Sequence, residues 1–319
     1  LLFFPDLERV SRMSNMQISD VSASVRAEFD FDVDKFPLSG PDNMKTDQFG
    51  LFRSDAGYID GVKSISSRYV PHSTDDVCAL VEAASTMFDG EISCKTHWNK
   101  GHYVAIQPTD AERVSIHGTA DNIWPRLIIR GGFDGKGFHG TMGYFRDACS
   151  NLAMLRRVSG TSVSIRHTSG LRDKMNYLID SFGELGEGWD NIVDVAKNLQ
   201  QKTVNFSEFV REVYADRLPT ESELVASDAG MKVRKVTTWN DRIDKMMNRV
   251  IDERKKTGRD ALVQGQPKLI SGWEAYNAIQ GYTQHSAPAK TGFKSEFARI
   301  LRASNDRHVN LAESLLLAA

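Results

Sequence analysis

Apolar residues change their spacing once in this chain, near Gly170, and that change limits what the chain can fold into. Upstream, short runs alternate apolar with polar residues and break at glycine-rich turns. Downstream, Leu171, Met175, Leu178, Phe182, Leu185, Trp189, Ile192, Ala196 and Leu199 follow one another in steps of four and three. A period of two marks strands with one buried face, and steps of three and four mark a helix with one apolar stripe. Strands joined by tight turns pair antiparallel. The fold class read from this is α+β: an antiparallel β-sheet packed on a helix, followed by a mostly helical C-terminal region. Three sections follow from it: an N-terminal arm over 1–46, an α+β core with the sheet and a basic hairpin over 47–170, and a helical region over 171–319.

Local signals fill in these sections. Phe29 to Asp34 alternates apolar with acidic residues, as an edge strand or an extended arm would. Gly50 to Ile65 reads as two strands turning at Asp55-Ala-Gly57. Ser73 and Asp76 have capping-box spacing ahead of Val77, Leu80, Val81, Ala84 and Met87, one face of a helix. Glu91 to Trp98 and His102 to Gln107 form a strand pair, with a short strand near Arg113 to His117. Trp124 to Phe133 and Gly137 to Phe145 form a hairpin through Asp134-Gly-Lys-Gly137, where glycine permits positive φ. Asp147 to Arg157 reads as a helix or a turn of one, and Ser162 to His167 as a last strand. The stripe from Leu171 to Leu199 is heptad-like and fits either a kinked core helix or an intermolecular coiled coil. Asn205 caps a helix bearing Phe206, Phe209, Val210 and Val213. Glu221 to Val236 reads as loop, and Thr238 as the cap of a helix bearing Trp239, Ile243, Met246, Met247 and Val250. Further helices are expected around Trp273 to Ile279, Phe293 to Leu301 and Leu311 to Leu316.

Charge is distributed unevenly. The 319 residues carry a net charge of −2, yet Trp124 to Lys174 holds nine cations against three acids. A basic excess of that kind needs a partner, and nucleic-acid phosphate is the commonest one. Candidate phosphate contacts are Arg126, Arg130, Lys136, Arg146, Arg156, Arg157 and Arg166. A second basic and aromatic hairpin, with Lys95, His97, Trp98, Lys100 and Tyr103, fits the same face. Phe133, Phe138 and Tyr144 are candidates for stacking on bases, with burial in the core as the alternative. By period two, Arg126 and Arg130 share the solvent face while Leu127 and Ile129 enter the core. The bland alternative for these arginines is a solvated outer face.

Other chemistries find little in the sequence. No apolar run approaches the roughly 20 residues that span a bilayer, and the opening LLFFPDLERV is read as too short for a signal peptide. Cys78, Cys94 and Cys149 are odd in number and widely spaced, which favours a reducing, cytoplasmic setting. Asp30, Asp32 and Asp34 lack the glycine and the closing Glu of a calcium loop. His97, His102, His117, His139 and His167 form no metal-ligand spacing. The glycines from Gly131 to Gly143 lack the order of a phosphate-binding loop. The expectation is a protein without catalytic residues, metal, cofactor, membrane partner or small-molecule substrate.

The order of several weak motifs carries a resemblance. The strand pair before Pro71, the hairpin from Arg126 to Arg146, Ala148-Cys-Ser-Asn151 and Ser164-Ile-Arg-His-Thr168 occur in sequence. Gly272-Trp-Glu-Ala-Tyr-Asn-Ala-Ile279 follows with Tyr282 and His285, then a closing helix from Arg302 to Ala319. From about Phe49 onward the chain resembles the phage/plasmid-like family of proteins of unknown function, found in bacteriophages, plasmids and some bacteria. That family is similar in fold to single-strand annealing proteins: recombinases of the Redβ, RecT and Erf kind and the eukaryotic Rad annealing mediator. The resemblance implies an annealing-protein-like core that holds single-stranded DNA in a basic groove, and assembly with itself as rings or filaments. It further implies a role in phage-type DNA recombination in a bacterial host cytoplasm. The alternative is a phage structural or assembly protein that forms a lattice without DNA-dependent activity.

Overall fold

Ser73 starts its helix as its spacing predicts: its hydroxyl accepts from the Asp76 amide, and the Asp76 carboxylate accepts from the Ser73 amide. The computed structural model describes residues 18–59, 64–86, 92–98, 102–108, 113–117, 120–133, 137–153, 158, 160, 162–262, 268–286 and 306–318. The N-terminal elements are α1 (Ile18–Phe29), β1 (Val33–Ser39), β2 (Lys45–Arg53), β3 (Gly57–Tyr58), β4 (Ile65–Ser66) and α2 (Thr74–Ser85). Then come β5 (Ile92–Trp98), β6 (His102–Pro108), β7 (Val114–Ser115), β8 (Asn122–Gly131), β9 (Phe138–Arg146), β10 (Cys149–Ala153) and β11 (Ser162–Ile165). The remainder is α3 (Leu171–Asp180), α4 (Phe182–Gln201), β12 (Thr203–Asn205), α5 (Phe206–Val213), α6 (Glu221–Asp228), α7 (Arg234–Lys256), β13 (Leu269–Ser271), α8 (Gly272–Gly281) and α9 (Arg307–Ala318). The molecule is thus α+β.

Every strand pairing among the described residues is antiparallel. A small sheet runs β1-β2-β3, with β4 also on β2; β1 is its edge, but it takes in only Val33 and Asp34 of the alternating stretch, since Phe29 ends α1. A larger sheet runs β10-β9-β8-β6-β5, with β11 on β9 and β7 on β8, and β12 pairs with β13.

The chain divides into two compact units. The first holds 1–112, 125–143 and 160–189. Its core includes Phe29, His72, Phe133, Phe138 and His167; the His72 and Phe133 rings lie 4.2 Å apart and nearly parallel. Gly131 on β8 permits this packing, because a Cβ there would fall 2.0 Å from Cε1 of Phe138. Helix α1 has no strong sequence signature, being rich in serine. Tertiary contacts hold it instead: Val25 and Phe29 are buried, Ser22 donates to Glu82 at 2.7 Å, and Thr74 donates to the Phe29 carbonyl.

The second unit holds 113–124, 144–159 and 190–319. Every residue of α8 is buried, and a capping box of Ser271 with Glu274 starts it. The heptad-like stripe belongs to the first unit up to Trp189 and to the second beyond it, and it faces the core. Leu171, Met175 and Leu178 of α3 and Phe182, Leu185, Ile192, Ala196 and Leu199 of α4 are all buried, with a break at Ser181.

Three local expectations are corrected. Cys149–Ala153 is a strand, not a helix, because Asp147 and Ala148 turn the chain back onto the end of β9. Residues 221–228 form α6, opened by a capping box of Thr220 with Glu223. Thr238 does not cap: α7 begins at Arg234, and the Thr238 hydroxyl donates to the Arg234 carbonyl at 2.8 Å. The turn at 134–136, Met87 and the apolar run from Phe293 to Leu301 lie outside the described residues.

Candidate nucleic-acid interface

The cations of the basic segment do not share one face. Period two puts Tyr144 and Arg146 on the same side of β9, and in the second unit that side is buried. Tyr144 packs on Trp273, ring centres 5.3 Å apart. Arg146 is 1% exposed. Its Nε and Nη2 donate to the two carboxylate oxygens of Asp121 at 2.5 and 2.8 Å, and its Nη1 donates to Glu253 at 2.5 Å. The Trp273 indole also donates to Asp121, at 3.2 Å. Arg146 and Tyr144 are therefore core residues, which corrects their assignment to a DNA-facing surface.

Arg126 is a second correction. It is 4% exposed, and Leu127, Ile128 and Ile129 beside it are buried as well. Strand β8 is interior to the sheet with neighbours on either side, and both its faces are covered. Alternation then no longer sorts core from solvent. Arg130 is half-buried rather than displayed with Arg126, and Phe133 and Phe138 are core. Lys95 and Trp98 fall in β5, in register with Ala105 and His102, but their side chains lie outside the described residues. Lys100, Lys136, Arg156 and Arg157 also lie outside them.

Beside Arg146, a second set of buried charges completes a balanced network. Glu274 accepts from Arg254 at 2.7 and 3.0 Å and from the Ser271 amide at 2.9 Å, and pairs with Arg259 at 2.8 Å. Burial pushes the Glu274 carboxyl up, but hydrogen bonds from Arg254 and Ser271 and the Arg259 charge outweigh it and hold it below the ordinary carboxylate value. Asp121, Glu253 and Glu274 thus face Arg146, Arg254 and Arg259. These three carboxylates and three guanidinium groups pair with one another and tie together residues far apart in the chain. Nothing local in the sequence marks the network: Arg146 and Glu253 are 107 residues apart.

Among the described residues of the basic segment, the β11–α3 turn in the first unit stays exposed. Gly170, at φ +72°, precedes the first residue of α3. Lys174 staples the turn by donating to the Thr168 hydroxyl and to the Ser169 carbonyl. Arg166 and Arg172 flank it, both exposed, and neither has an acidic partner among the described residues. Tyr177, 59% exposed, stands on the same helix. Sequence reading passed over Arg172 and Tyr177; the available signal was that both fall off the apolar stripe of α3.

Fold and surface together define an α+β protein with antiparallel sheets, an internal charge network and a basic sheet-to-helix turn. The chain belongs to the family described as a domain of unknown function, DUF932, whose model matches residues 62–316. No curated protein and no solved structure matches it. Among the described residues no helix is long and apolar enough to cross a membrane. No group of three or more His, Cys, Asp or Glu side chains among them has the arrangement to hold a metal ion.

Proposed function

We propose that this protein binds single-stranded DNA without acting on its bonds, as a self-associating protein of phage-type recombination. The resemblance to the phage/plasmid-like family, and through it to annealing proteins, supplies the class of activity; carried over on fold, this is an analogy. The observation that supports it is the pair of exposed guanidinium groups, Arg166 and Arg172, which face solvent at one turn and form no ion pair with an acid among the described residues, although Asp173 stands in the same turn. Such groups hold phosphates, and an exposed ring such as Tyr177 offers a sequence-tolerant surface for bases.

A labelled oligothymidylate titrated across a salt series tests this. Affinity should fall as salt rises, and each lost phosphate contact should reduce the slope of log K against log salt by about 0.7. The double variant Arg166→Glu/Arg172→Glu should bind every sequence more weakly and with a shallower slope. Absent or salt-insensitive binding at low salt overturns the proposal. Sizing with and without the strand tests self-association; large assemblies that form without DNA and ignore it favour the lattice alternative.

A further inference from the structure

We propose that the second unit carries a separate phosphate-binding cleft at the start of α7. The cleft encloses about 580 Å³ and is lined by Asp216, Arg217, Glu223, Arg234, Lys235 and Arg242, with Trp239 beside them. That volume lies within the range of small-ligand sites. Four cations face two acids, and both acids are already engaged. Asp216 pairs with Arg217 at 3.0 Å and accepts from His308 at 2.9 Å and from Arg307. Glu223 accepts from Thr220 in the capping box of α6 and pairs with Lys235 at 3.3 Å. Arg234 and Arg242 have no acidic partner among the described residues.

Arg242 is the group that points to a ligand. Its guanidinium carbon lies 5.0 Å from the Tyr214 ring and 5.8 Å from the Trp239 ring, both of which are buried. The rings hold it in place by cation–π attraction but neutralise no charge. Its Nε is buried with no acceptor among the described residues. A guanidinium fixed in this way has lost part of its water, and an anion is what compensates it. The start of α7 adds to the same field. Val233 offers no side-chain cap, and the first turn carries Arg234 and Lys235 with no acid, the reverse of the charge order that a helix favours. An anion on those amides removes the conflict. Phosphate fits better than carboxylate, because it accepts from several directions at once, and here guanidinium, ammonium and amide donors converge. Tyr214 and Trp239 are occupied by Arg242, so recognition rests on the phosphate group and not on a stacked base.

The site is independent of the β11–α3 turn, and calorimetry on the full chain at low ionic strength separates the two. The probes are inorganic phosphate, adenosine 5′-monophosphate, an oligothymidylate without terminal phosphates, and acetate. Saturable phosphate binding at one site is expected, with Arg234→Gln and Arg242→Lys each weakening it at least about tenfold. Arg234 is exposed, so its replacement leaves the fold intact and keeps the test decisive. Arg166→Glu/Arg172→Glu should bind phosphate as the wild type does, whatever happens to its DNA binding. Measured in the Arg166→Glu/Arg172→Glu protein, a tighter complex with the mononucleotide identifies the ligand as a phosphomonoester, and a tighter one with the oligothymidylate identifies a phosphodiester. No binding below about 10 mM phosphate, wild-type affinity in Arg234→Gln, or equal binding of acetate overturns the assignment.

Discussion

Arg146 and Arg166 look alike in the sequence: both belong to the same basic stretch and both stand at the end of a strand. The structure gives them opposite roles. Arg146 is enclosed by Asp121 and Glu253, while Arg166 faces solvent and forms no ion pair among the described residues. Removing a buried charge strands its partners, at about 3–5 kcal/mol, whereas an exposed substitution usually changes stability by no more than about 0.5 kcal/mol. Arg146→Leu should therefore lower the midpoint of urea unfolding strongly and Arg166→Leu should not, and near-equal midpoints would refute the buried network. The charge count of the segment was legible, but its division between core and surface was not. Asp121 and Glu253 reach Arg146 through the fold, and no spacing along the chain encodes that.

Among the elements, those with both a cap and an apolar stripe were legible. Ser73 with Asp76 announced α2, and Asn205 announced α5 through its side-chain oxygen, which accepts from the Ser207 amide. Thr220 and Glu223 have the same capping spacing, yet α6 buries none of its residues, so no stripe confirmed it. Helix α1 fails the other way, since among its described side chains the buried apolar ones are Val25 and Phe29, set amid serines. Glycine behaves in two ways that only the packing separates. Gly183 in α4 has open space where a Cβ would stand, so Gly183→Ala should stabilise by about 1 kcal/mol through helix propensity. Gly131 on β8 has the buried Phe138 ring in that position, so Gly131→Ala should destabilise by about 3 kcal/mol through overpacking. Thermal melts of the two variants check both signs.

At the scale of the whole molecule, net charge near zero hides a strong internal pairing of charge, and pH is the variable that reaches it. Burial pushes both Glu274 and Asp306 up, but hydrogen bonds bring each below its ordinary value: Arg254 and Ser271 act on Glu274, His308 and Val309 on Asp306. A carboxyl whose folded value lies below its unfolded one stabilises the fold above the unfolded value and loses that contribution as pH falls through the folded one. For Glu274 the unfolded value is 4.5 and for Asp306 it is 3.8. Stability should then be level on the alkaline side of both and fall away below them, as these carboxylates must take up protons. Glu274→Gln removes one of the two groups and leaves Arg254 and Arg259 with an uncharged partner. This variant should unfold at lower urea at pH 7, yet lose less further stability than the wild type when the pH is taken down through the carboxylate range. Circular dichroism followed against urea at neutral and acid pH measures both effects. Parallel loss of stability on acidification in the two proteins would show that the Arg254–Glu274–Arg259 cluster does not carry the acid sensitivity of the fold.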